Sequence, residues 1–107
     1  MERQVLAMLH HLIYRCPEEF YPPWIHNSQA ALGAFCSGGT VANITALWVA
    51  RNRLFAPEEN FRGIAQEGLV RSLRHHSIDG IAVLVSERGH YSLGKAADLL
   101  GICRDQL

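Results

Sequence analysis

The sequence predicts an α/β fold that is cut short, on three observations. Ile81-Ala-Val-Leu-Val85 is a run of five apolar, partly β-branched residues, the pattern of a strand buried on both faces of a parallel sheet. Helical periodicity precedes that run and follows it. Ile102-Cys103 then opens a second strand-like run just before Leu107. The order is α, loop, α, α, β, α and an interrupted β.

Val5, Leu9, Leu12 and Ile13 recur at helical spacing, so residues 2–15 are expected to form an amphipathic helix that Pro17 ends. It starts beside Met1 without an obvious cap, which suggests a preceding element. Residues 16–32 hold Pro17, Pro22 and Pro23 among Phe20, Tyr21 and Trp24, and are expected to be an irregular aromatic loop. Residues 1–31 therefore form one region and 32–107 another. Val41 to Ala50 is apolar almost all round, the mark of a buried helix, and it turns polar at Arg51-Asn52-Arg53. Residues 60–74 give a weaker helix, with Phe61, Ile64, Leu69 and Leu73 on one face but Gly63 and Gly68 against it. Ser77, Asp79 and Gly80 signal a turn before the strand. Ser92 can cap a helix running to about Leu100, with Gly101 past its end.

Composition narrows the function. The 107 residues are 49% hydrophobic and 19% charged, enough for a core and unlike a disordered chain. Ten basic and ten acidic residues cancel, so no basic footprint for nucleic acid or an anionic membrane is present. No apolar run approaches the ~20 residues of a membrane helix. Three cysteines, Cys16, Cys36 and Cys103, lack any Cys-x-x-Cys spacing, and the start lacks a signal-peptide layout, so a reducing cytoplasm is expected.

Two stretches carry chemistry. Ser37-Gly38-Gly39-Thr40 lies at the mouth of the second helix. Glycines there permit positive φ and close approach of an anion, the first-turn N–H groups point at it, and the Thr40 hydroxyl adds a donor. An ordinary glycine turn with Thr40 as the N-cap is the plainer alternative. Without a Gly-Lys-Ser/Thr sequence or a Gly-x-Gly-x-x-Gly sequence, a phosphate monoester is the expected anion. Ser86-Glu-Arg-Gly-His90-Tyr-Ser92 follows the carboxyl end of the expected strand, where α/β sheets gather ligands. His90 could stack there on a planar cofactor or be an ordinary loop residue.

The stretch from Gly33 to Arg51 together with the stretch from Val85 to Ala97 resembles the group II pyridoxal-phosphate-dependent amino acid decarboxylases, over nearly all of residues 32–103. The resemblance implies that residues 32–107 are part of the large domain of a fold-type-I transferase, a truncated parallel-sheet α/β fold with pyridoxal 5'-phosphate as cofactor. It implies that Gly38, Gly39 and Thr40 hold the phosphate and that His90 stacks on the pyridine ring in a catalytic role. It further implies decarboxylation of an acidic amino acid such as glutamate or aspartate, in a parent that is a homodimer. The aromatic residues 20–24 would suit a subunit boundary. The family's Schiff-base lysine and its Asp-x-Ala aspartate have no counterpart here. Lys95, Asp79 and Asp98 lie in the wrong surroundings, so the chain alone is expected to lack catalysis.

Three other readings are open to these residues. Cys36 could be a nucleophile activated by the helix end and His90, though a cysteine beside Phe35 is more often a small apolar residue. Metal binding by His10-His11 or His75-His76 is disfavoured, because neighbours on a helix point ~100° apart, and no metal is expected. A truncated, inactive remnant or an interaction module is the non-enzymatic alternative.

Overall fold

A computed structural model describes residues 1–107 as two compact units, Met1–Cys36 and Ser37–Leu107. Its regular elements are all helical: α1 (Glu2–Tyr14), α2 (Pro22–His26), α3 (Gly39–Leu54), α4 (Ile64–His75) and α5 (Ser92–Leu99). Short 3₁₀ turns occupy Glu18–Phe20 and Arg104–Gln106. None of the helices is long and apolar enough to cross a membrane.

In the first unit α1 ends where Arg15 turns left-handed at φ 52°, before Pro17. The stretch expected to be irregular is partly helical. Pro22 and Pro23 stand at the first positions of α2, where a missing N–H costs nothing and φ is already helical. His10 stacks on Phe20 at 5.5 Å and lies 3.3 Å from the Tyr21 hydroxyl through Nδ1. Burial raises the Tyr21 phenol above its ordinary value, and the neighbouring Cys16 adds to the rise. Much of α1 stays uncovered, with Met8, Leu12 and Ile13 exposed.

In the second unit the core has two small centres. Phe55, Phe61 and Ile64 bury themselves with Leu69, Leu73 and Ile81 around them. Ala97, Leu100 and Ile102 form the other, against Leu47, Ile81 and Val83. At the first centre Gly63 holds φ +86°, and a Cβ there would come within 3.0 Å of the Pro57 ring. α4 is kinked at Gly68, whose φ of 76° leaves the helical range.

The structure corrects the α/β prediction. No sheet forms, and the sole bridge is an isolated antiparallel pair between Glu58 and Phe61. Residues 81–85 lie outside any helix or strand, and the Val83 N–H donates to the Gln106 carbonyl at 2.8 Å. A ladder needs a second extended run alongside. The run at Ile102-Cys103 that was expected to supply it turns instead into the 3₁₀ turn at Arg104–Gln106. Leu84, expected inside, is 99% exposed. The parallel-sheet, fold-type-I architecture is therefore not what this chain forms. The expectation of a fully buried α3 also fails: none of its residues is buried, because α5 covers one stripe and leaves Trp48 and Val49 outside.

Candidate functional site

α3 and α5 form a parallel pair tied at both ends. Near their amino ends Asn43 Nδ2 donates to Ser92 Oγ at 2.7 Å. Near their carboxyl ends Arg51 Nη1 donates to the Leu100 carbonyl at 2.7 Å. Eight residues separate the two ties on either helix, so the pair runs in register and in the same direction. Both positive helix ends therefore lie at the same end of the seam. Gly101, at φ +73°, follows the last residue of this pair and turns the chain away, as expected of a glycine past a helix end.

That end of the seam unites the two stretches singled out in the sequence. Gly38 caps α3, Gly39 and Thr40 are its first residues, and no side chain closes the helix mouth. First-turn N–H groups there lack intrahelical acceptors. The backbone reason given for the glycines does not hold, because Gly38 is extended at φ 175°. A Cβ at Gly38 or Gly39 would meet nothing within 4 Å, so open approach to the helix mouth is what these residues provide. Thr40 is half-buried in the first turn and is not the N-cap.

His90 is brought to the same place by Ser92. Its Nδ1 lies 2.8 Å from Ser92 Oγ and accepts the Ser92 backbone N–H at 3.2 Å. Ser92, expected to cap α5, is its fully buried first residue, and its hydroxyl serves the histidine and Asn43 instead. Gly89 makes the approach possible. The turn closes with the Gly89 N–H on the Ser86 carbonyl at 2.7 Å. A Cβ on Gly89 would sit 2.6 Å from Val85 Cγ2 and 2.9 Å from that carbonyl. His90, Ser86, Glu87 and Tyr91 line a cavity of about 360 Å³.

Asn43, Ser92 as a bridge, and Arg51 as a tie were missed in the sequence. The signals were an amide inside an otherwise apolar helical run and a His-x-Ser spacing at a helix start. The other candidates lie elsewhere or serve other ends. Lys95 holds its ammonium 4.8 Å over the Tyr91 ring, and Asp98 pairs with Arg104 at 2.8 Å. Cys36 is half-buried in the first unit. His11 Nδ1 lies 3.1 Å from the Cys16 carbonyl, so it and His10 turn to different partners. His75 and His76 converge, against expectation, with Nε2 atoms 2.8 and 3.3 Å from one Glu58 oxygen. The reason is that His76 lies past the last residue of α4, off the helical path.

The arrangement defines a class: a pair of parallel helices with a loop histidine bonded to the first residue of the second of them. The chain is 62% identical over 105 residues to an aspartate 1-decarboxylase of Aliivibrio fischeri, a match that covers 98% of this chain. The chain spans 19% of the length of that relative. No family model matches the chain, and no solved structure matches it.

These findings correct the assignment to the group II pyridoxal-phosphate-dependent decarboxylases. The protein matched is named for decarboxylation of aspartate at C1, a reaction for which a protein-bound pyruvoyl group can serve as the electron sink. Such a group needs neither a phosphate cradle nor a pyridine ring beneath an imidazole. Pyridoxal 5'-phosphate is not the cofactor that this match supports.

Proposed function

We propose that this chain is a segment of an amino acid decarboxylase that removes the C1 carboxylate of aspartate. The observation that carries the reading is the 62% identity, over 98% of the chain, to a protein named for that activity. In the reaction the bond between Cα and C1 breaks, CO₂ leaves, and a proton takes its place on Cα. The electron pair left behind needs a carbonyl-derived sink, which no residue of this chain is assigned to supply.

The part proposed for this segment is binding and orientation. Aspartate carries two carboxylates, and the helix mouth at Gly38, Gly39 and Thr40 favours an anion through unpaired N–H groups and the α3 dipole. His90 stands at the same end of the seam as a candidate contact to the reacting molecule. A homodimeric parent belongs to the same reading, supported by the exposed apolar residues Met8, Leu12 and Ile13 on α1 and tested by light scattering. Aspartate labelled at C1 or at C4 tests the activity in the full-length protein. Labelled CO₂ from C1 alone is expected, with β-alanine as the product. Release from C4, or no release from any amino acid, overturns the proposal.

A further inference from the structure

We propose that Asn43 and Ser92 are positioning residues that lock His90 as its Nε2–H tautomer, so that the outer nitrogen offers a hydrogen bond and cannot take a proton. The argument starts from a donor that cannot change its role. The Ser92 backbone N–H points at His90 Nδ1 at 3.2 Å, so Nδ1 must present a lone pair. The Ser92 hydroxyl, 2.8 Å from the same nitrogen, then donates its single proton to Nδ1. Its oxygen is left to accept, and Asn43 Nδ2 fills that place at 2.7 Å.

The reverse arrangement fails. If Asn43 presented its carbonyl oxygen, Ser92 would donate away from the ring, and Nδ1 would need a proton facing the backbone N–H. One fixed amide therefore sets the direction of the whole relay, from α3 through Ser92 to the imidazole. Ser92 is completely buried, so water is not there to replace a missing partner. Sequence spacing fits the device: Ser92 sits at the first residue of α5, two residues after His90, where its N–H and hydroxyl can both reach one ring nitrogen.

The consequence concerns the role of His90 in the proposed decarboxylase, and to that extent it rests on that reading. With Nδ1 occupied as an acceptor, His90 presents its Nε2–H as a donor, matched to a carboxylate oxygen and unsuited to general-base work.

The test is nitrogen NMR of the full-length protein with ¹⁵N-labelled histidine, assigned by comparison with the His90→Gln variant. The expected spectrum shows Nδ1 of His90 in the unprotonated range and Nε2 in the protonated range. The opposite pattern, or averaged shifts, overturns the lock. In Ser92→Ala the separation should shrink, Ser92→Thr should restore it, and kcat for aspartate should fall about 10²-fold in the alanine variant. Should Ser92→Ala not fold, Asn43→Ala gives the same readout from the half-buried end of the relay. Unchanged shifts in whichever variant folds overturn the relay. A wild-type protein with the expected tautomer but no CO₂ release would leave the lock standing and remove the activity.

Discussion

The α3–α5 seam and the corner around α4 are neighbours in the same unit, yet they are held by different forces. The corner is closed by aromatic burial: Phe55 and Phe61 are 1% and 2% exposed, and His75 stacks on Phe61 at 4.7 Å. Its polar groups are spent locally, with His75 and His76 on Glu58 and Glu67 on Arg62 and Arg71. The seam has a core without aromatic rings, Ala97, Leu100 and Ile102 against Leu47, and adds directional ties at its two ends. It leaves apolar surface uncovered and a histidine exposed. The contrast separates a corner closed by aromatic packing from a seam tied by directional hydrogen bonds at its two ends.

Substitutions can break or sharpen that contrast. The largest effect is expected from Phe61→Ala, which should cost roughly 3–5 kcal/mol in denaturant unfolding by emptying the centre of the corner. A loss below ~1 kcal/mol would mean that the corner is not a packed core. Ser92→Ala comes next, at about 1–3 kcal/mol, because it removes the fully buried hydroxyl that joins Asn43 to His90. That variant should lose far more turnover than Phe61→Ala at a temperature where both are folded. Equal losses would erase the distinction between the regions.

The smallest effect is a matter of pH. The Arg62 backbone N–H, and less strongly Arg71, hold the Glu67 carboxyl below its ordinary 4.5. A carboxylate with a lowered folded value stabilises fully above its unfolded value, and that gain is lost as pH falls through the lowered one. Glu67→Gln should therefore flatten the stability profile below about 4.5 without altering the dependence around neutrality. An unchanged acid limb in thermal unfolding would show that Glu67 contributes nothing there.

Helices were legible in the sequence wherever the apolar period was long and punctuated. Pro17 marks the end of α1, and Gly101 the end of α5. The strand at 81–85 was not legible correctly, because an apolar run states only what a segment would do beside a partner. Pairing is a property of two segments, and the second became a 3₁₀ turn. The same limit explains α3, whose all-round apolar pattern says nothing about how many neighbours cover it. Of the candidate site, Gly38, Gly39, Thr40 and His90 stand out by their motifs, whereas the hydrogen bond from Asn43 to Ser92 spans 49 residues of sequence and the pairing leaves no local signal. The identity of the cofactor was the least legible part, since a helix mouth selects a charge and not the molecule that bears it.

The central claim is that the α3 mouth and the His90 loop act as one unit. A double-mutant cycle of Asn43→Ala and His90→Ala, read as kcat/KM for CO₂ release from C1 of aspartate, tests it most directly. Strong coupling is expected, with the pair falling short of the summed single losses by about 1 kcal/mol or more. Losses that add to within ~0.5 kcal/mol would show two independent places and contradict the account.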